Sequence, residues 1–211
     1  TIIDGSGIGN VFSVESSCSV SDLTLRNGKI GLNARGPGIS IDIYNCTVIN
    51  NVDGLHLDYS RADITNNIIS YNIRYGIYTA ECNFTIMNND VSNNSNGIGL
   101  YASYGGKVKS NTISSNENDG IILGIFSAGV VITDSTIILN NGSGIHVTSS
   151  VFTNSIYHNN LTDNTQNAHV DRSLEEGYYI YWDNGYPYGG NYWSDHGVSA
   201  GSDDIVYTPY I

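Results

Sequence analysis

The sequence predicts an all-β protein: a right-handed single-stranded parallel β-helix of seven to eight coils of about 22 residues, closed by a C-terminal aromatic cap. Three columns of residues carry this prediction. Gly-aliphatic pairs recur at Gly31-Leu32, Gly54-Leu55, Gly76-Ile77, Gly97-Ile98, Gly120-Ile121 and Gly144-Ile145, in steps of 23, 22, 21, 23 and 24 residues. A second column runs Asn72, Asn94, Asn116, Asn140, Asn164, each preceded three residues earlier by Ile69, Val91, Ile113, Ile137 or Leu161. A third runs Ile64, Ile86, Val108, Ile132, Ile156. One period shared by three columns means stacked structural repeats.

Each repeat holds three short aliphatic stretches separated by Gly, Asn, Asp and Ser. The stretches alternate, as in Leu55-His56-Leu57 and Ile145-His146-Val147, so one face points inward and the other outward. No segment keeps a long 3.6-residue period, which excludes helical solenoids. Stacking gives each strand a parallel neighbour and merges the inward faces into one core, in a rod about 38 Å long at ~4.8 Å per rung. The Asn column is expected either to form an amide ladder between coils or simply to favour the turns, and the corner glycines to supply backbone angles that a side chain forbids. The coils are expected over residues 1–172. The segment 173–211, dense in aromatics from Tyr178 to Trp182 and again at Trp193, is expected to cap the exposed strand edges within the same domain.

Composition narrows the function classes. Charged residues are 13% of the chain, about half the ~25% usual in soluble domains, and Asn, Ser, Thr and Gly take their place. Such a surface points to an extracellular or cell-surface location. A net charge of −12 excludes nucleic acid, and anionic polysaccharide as well unless a cation bridges the two. No apolar run reaches the ~18 residues of a membrane span. The chain shows no signal peptide, so an export signal is expected to be removed or to lie outside it. Cys18, Cys46 and Cys82 have no metal-type spacing; they read as buried small hydrophobes, with an interchain disulfide as the alternative. Sequons at Asn45, Asn83, Asn93, Asn141 and Asn160 permit glycosylation in an exported protein.

The outward column beside the inward aliphatics reads Asn33, His56, Tyr78, Gly99, Ile122, His146 and, after a one-residue shift, His169. His146 and His169 would be adjacent rungs, close enough to share a metal, or they are solvated strand positions. His56, Tyr78, Tyr101 and Tyr104 are candidate sugar contacts. Asp53 reads as a turn residue before the corner glycine, and Asp58 and Asp119 as scattered acids. Arg61 and Arg74 stand apart from any dense acidic group.

Several phrases resemble a known family. Thr1-Ile2-Ile3-Asp4-Gly5-Ser6-Gly7, Val20-Ser21-Asp22-Leu23-Thr24-Leu25-Arg26-Asn27-Gly28 and the Asn-Gly-Ile units resemble the PbH1 repeats of NosD-like surface proteins. Gly190-Asn191-Tyr192-Trp193-Ser194-Asp195, followed by Thr208-Pro209-Tyr210-Ile211, resembles their C-terminal signature, common in archaeal envelopes. Family members usually carry a calcium-loop-like stretch between those two phrases. Here 196–204 lacks its alternating carboxylates, which leaves Asp195, Asp203 and Asp204 as the residues that could hold Ca²⁺; no other cofactor is expected. Asn51-Val52-Asp53-Gly54 resembles a polygalacturonase phrase, but the companion motifs of those hydrolases and the Asp-Pro-His phrase of alginate epimerases are absent.

The resemblance and the missing catalytic sets imply a non-enzymatic cell-envelope module for structure or interaction. The alternatives are a polysaccharide lyase or hydrolase, or a carbohydrate-binding module on the same fold. The expected partners are a cell-surface polysaccharide and further copies of the chain, stacked head-to-tail on the open first coil as a homo-oligomer or filament.

Overall fold

The computed structural model describes residues 1–148, 151–171, 179–185, 187 and 189–194. Within them every named strand pairing is parallel, and the strands fall into three sheets of eight, eight and nine. Sheet I contains Asn10–Val14, Ile30–Arg35, Asp53–Asp58, Tyr75–Ala80, Asn96–Tyr101, Ile121–Leu123, Ser143–Val147 and Gln166–Val170. Sheet II runs from Cys18–Ser21 to Ile180–Tyr181, and sheet III from Ile2–Asp4 to Tyr192–Trp193. The chain visits sheets I, II and III in turn, so eight circuits build a β-solenoid.

Each sequence column is the inward row of one sheet. Leu32, Leu55, Ile77, Ile98, Ile121 and Ile145 stack in register on sheet I. Ile64, Ile86, Val108, Ile132 and Ile156 stack on sheet II. Ile69, Val91, Ile113, Ile137 and Leu161 stack on sheet III. Every one of these side chains is fully buried. Trp193 is buried in the same core and packs edge-on against Trp182, with ring centroids 5.5 Å apart.

The corners hold two amide ladders. In the first, Oδ1 of Asn94 accepts from the backbone N–H and Nδ2 of Asn72, at 3.0 and 2.9 Å. Asn72 serves Asn51, Asn116 serves Asn94, Asn140 serves Asn116 and Asn164 serves Asn140 in the same way. Each Nδ2 also donates to a main-chain carbonyl, as Asn94 does to Ile69 and Ser92 at 3.1 Å. The second ladder joins Asn67, Asn89 and Asn111, passes through the Ser135 hydroxyl, and resumes at Asn159 and Asn191. Asn191 of the C-terminal signature is therefore its last rung among the described residues. Except at Asn191, the residue before each ladder amide takes a left-handed conformation; most are Asn, Asp or Ser, as at Asn50, Asn66, Asn88 and Asn93, whose polar side chains tolerate that region best, while Tyr71, Leu139 and His158 are held there by the turn.

Two expectations are corrected here. None of the column glycines Gly31, Gly54, Gly76, Gly97, Gly120 and Gly144 has a left-handed φ. They are required because coils approach closely: a Cβ on Gly97 would lie 2.3 Å from the carbonyl oxygen of Gly120 and 3.0 Å from Asn116 Nδ2. Nor are the cysteines all buried hydrophobes. Cys18 is exposed, while the thiols of Cys46 and Cys82 occupy corner positions and donate to main-chain carbonyls, Cys46 to Val20 and Tyr44, Cys82 to Leu57 and Ala80. All three are free thiols. The five sequon asparagines are exposed.

Asn94→Ala leaves the buried N–H of Asn72 without its acceptor, takes one of two acceptors from Asn72 Nδ2, and removes a donor from the carbonyls of Ile69 and Ser92. Chemical denaturation is expected to show a loss of roughly 2–4 kcal/mol, against about 1 kcal/mol for Asn93→Ala, which affects only the exposed left-handed turn position. Equal losses would mean that the ladder amide adds nothing to turn propensity.

Candidate functional site

Period-2 alternation sends Asn33, His56, Tyr78, Gly99, Ile122, His146 and His169 outward from sheet I, and register pairs each with the next in a single row. The shift to His169 follows from the pairing of His146 with that residue. Tyr101 lies one outward column over, in register with Ala80 and, through it, with Asp58. Tyr104 is exposed at the corner leading to sheet II, apart from this row. Asp195, Asp203 and Asp204 lie outside the described residues. The row gathers its chemistry into two clusters.

The upper cluster centres on His56. Its ring lies 4.6 Å from that of Tyr78, which in turn lies 5.3 Å from Tyr101, with interplanar angles of 31° and 28°. Tyr75 packs edge-on against both tyrosines, and its hydroxyl meets that of Tyr101 at 3.0 Å. Glycines make room for these rings: a Cβ on Gly99 would lie 2.8 Å from Tyr75 Cε1, and one on Gly124 would lie 2.2 Å from Tyr101 Cδ1.

Asp53 and Arg74 depart from the sequence expectation. Asp53 is no solvated turn residue, because it opens strand Asp53–Asp58 with its side chain buried. Arg74 is not isolated. Its Nε donates to Asp53 Oδ1 at 3.0 Å and its Nη2 to Oδ2, forming a two-pronged pair one coil apart. The backbone N–H of Tyr75 also donates to Asp53. Burial opposes ionisation of Asp53, but His56, Arg74 and that amide outweigh it and hold the carboxyl at about 2.

His56 Nε2 meets Asp58 Oδ2 at 3.3 Å, while Nδ1 stands 3.6 Å from Asp53 Oδ2, an ion-pair separation too long for a hydrogen bond. Asp53, and then Asp58, raise the imidazole above its ordinary value against the opposing effect of burial. Burial first, then Asp58, raises the Tyr78 phenol; burial and the Tyr75 hydroxyl raise that of Tyr101. Both phenols therefore stay protonated near neutrality.

The lower cluster centres on His146. Its Nδ1 is 2.9 Å from Asp119 Oδ2, and its Nε2 is 2.7 Å from Asp171 Oδ1. His169 Nε2 is 3.4 Å from the same Asp171 oxygen, with the two imidazole centroids 5.1 Å apart. Asp119 is held in place by the backbone N–H of Ser143 at 2.7 Å. Asp119 and then Asp171 push His146 up to about 9, against burial. Sequence reasoning placed the histidines but not their partners. Arg74, Asp119 and Asp171 reach across coils from strand ends and turns at offsets of 21, 27 and 25 residues, which no fixed column displays.

A family model described as periplasmic copper-binding protein (NosD) matches residues 5–197. No curated protein matches the chain. Among solved structures, a double mutant of the periplasmic alginate epimerase AlgG superposes with a TM-score of 0.62 at 21% identity, covering 75% of this chain and 39% of the epimerase. The A-module of the Azotobacter vinelandii mannuronan C-5 epimerase AlgE4 gives 0.57 at 20% identity, covering 71% and 43%. The chain thus spans about two fifths of each epimerase, and at this identity the likeness is one of fold.

Because Asp53 ionises more readily folded than unfolded, its contribution is complete above its ordinary value near 4 and is lost as pH falls towards 2. Urea titrations from pH 5 to 2 are expected to show Asp53→Asn losing roughly 2 kcal/mol less stability over that interval than the wild type. Parallel pH profiles would remove Asp53 as a folded-state anion.

Proposed function

The chain belongs to the NosD family, and on that premise we propose that it is a non-enzymatic β-helix of the cell envelope whose sheet I binds a neutral or amino-bearing polysaccharide. The family description is periplasmic, and among the described residues no helix is long and apolar enough to cross a membrane. The low charge and amide-rich surface support an extracytoplasmic setting.

One observation carries the polysaccharide reading. Half-buried rings of His56, Tyr78, Tyr101 and Tyr75 line consecutive coils of a rigid parallel sheet, edged by the carboxylate of Asp58. Ring faces, with their negative π charge, suit the C–H groups of sugars, and a carboxylate accepts from hydroxyl or ammonium groups. The two epimerases that share the fold act on a polysaccharide, by their names.

Electrostatics argue against their kind of substrate here. Removing a proton beside a sugar carboxylate needs a cation to hold that carboxylate and a group ready to act as base. Arg74 is already committed to Asp53, and Tyr78 and Tyr101 are held protonated. The chain's net charge of −12 repels a uronate. The copper of the family description has matching donors elsewhere on the sheet, at His146.

Calorimetric titration with chito- and cello-oligosaccharides is expected to show binding that falls at least ~10-fold in Tyr78→Ala or Tyr101→Ala, a loss of about 1.4 kcal/mol, with Tyr44→Ala on sheet II unchanged. No binding of either oligosaccharide, or binding and conversion of oligomannuronate, would overturn the proposal.

A further inference from the structure

We propose that His146, His169 and Asp171 form a binding site for one divalent late transition-metal ion, with Asp119 as the residue that orients it. One donor atom from each of the first three lies within 4.8 Å of the others. Donors held at ~2.1 Å from a single cation lie up to about 4 Å apart, so closing on an ion takes a rotamer-scale adjustment. The site stands four coils below His56 on sheet I and does not depend on the polysaccharide reading.

The second observation is how His146 is aimed. With its Nδ1–H donated to Asp119 Oδ2, the neutral ring presents its lone pair at Nε2, the atom that faces Asp171. A carboxylate behind a histidine in this way fixes the tautomer, holds the ring's direction and raises its basicity as a ligand. Asp119 is itself fixed by Ser143 N–H, and it lies over Gly142, where a Cβ would come within 2.6 Å of its Oδ1. The arrangement therefore extends two shells outward from the ion. His146 and His169 occupy paired positions on neighbouring strands, so the sheet ladder sets their separation.

The donor set chooses the ion. Two imidazoles and a carboxylate suit Cu²⁺ and Zn²⁺, and at equal geometry Cu²⁺ binds more tightly. Soft ligands for Cu⁺ do not converge among the described residues: the thiols of Cys46 and Cys82 are turned onto main-chain carbonyls. Asp119 and Asp171 balance the charge of a dication, and the ion takes the place of the proton between His146 and Asp171. Three protein donors leave the remaining positions to water or an exogenous ligand.

Metal-free protein titrated separately with Cu²⁺ and Zn²⁺ by calorimetry is expected to bind one equivalent of either, Cu²⁺ more tightly. Electron paramagnetic resonance of the Cu²⁺ form is expected to show coupling to two imidazole nitrogens. His169→Gln, at a more exposed position that spares the fold, and His146→Gln should each weaken binding ~100-fold. Asp119→Asn should weaken it ~10–100-fold, as losses of orienting partners do, while His158→Gln and His56→Gln change nothing. Circular dichroism confirms that each variant is folded. Absence of one-to-one binding by either ion, or affinity retained in the His146→Gln/His169→Gln double variant, would overturn the proposal.

Discussion

A β-helix must bury its corners as well as its strands. Each coil turns three times, and at each turn main-chain N–H and C=O groups face a core that offers them no water. Left unpaired, each such group costs about 1–3 kcal/mol, so eight coils cannot stack unless every corner finds partners. The amide of asparagine suits this task because its oxygen accepts from the coil above while its nitrogen donates to carbonyls. Asn72, Asn94, Asn116 and Asn140 each do both. The glycine column follows from the same demand. Only a residue without a Cβ lets the carbonyl of the next coil come close enough for the amide to bridge.

What the sequence displays openly is whatever stacking repeats without variation. Ile64, Ile86, Val108, Ile132 and Ile156 are legible because each solves one packing problem at an offset of 22 or 24 residues. The second ladder is hidden although its residues are ordinary asparagines. Asn67 and Asn89 sit beside the left-handed Asn66 and Asn88, Ser135 replaces one rung, and 32 residues separate Asn159 from Asn191. The glycine column was visible, but not its cause, because close approach of backbones is a property of neighbouring coils. In the site, His56, Tyr78, His146 and His169 follow from strand alternation alone. Asp53 looked like a turn residue and Arg74 like an isolated cation because side-chain reach across coils leaves no periodic trace.

Sheet I differs from its neighbours in what its outward row carries. The inward row and the corners meet the demands of folding, which frees the outward positions for polar and aromatic groups. Two histidines anchor separate arrangements there, and each is flanked by two carboxylates. Around His56 the second cation, Arg74, and the tyrosine rings give a broad, nearly neutral, aromatic surface. Around His146 a second imidazole replaces the arginine and the rings are absent, so the same histidine–carboxylate unit presents converging lone pairs. One scaffold thus supports two chemistries, separated along the rod by Gly99 and the buried Ile122.

The ladders also bear on how the rod assembles without error. Identical rungs are interchangeable: Asn94 would bond Asn140 as readily as Asn116, and the inward aliphatics would still find aliphatic neighbours. A chain built only of such rungs could skip a coil and lose little. The irregular positions oppose this slippage. Ser135 interrupts one ladder, Cys46 stands at the head of it, and the corner between sheets I and II carries a thiol at Cys82 among the hydroxyls of Ser60, Ser103 and Ser127. Gly99 and Gly124 leave room for the rings of Tyr75 and Tyr101, where a Cβ would collide with them. The departures from the repeat therefore serve as fiducial marks, giving each coil an address in the stack.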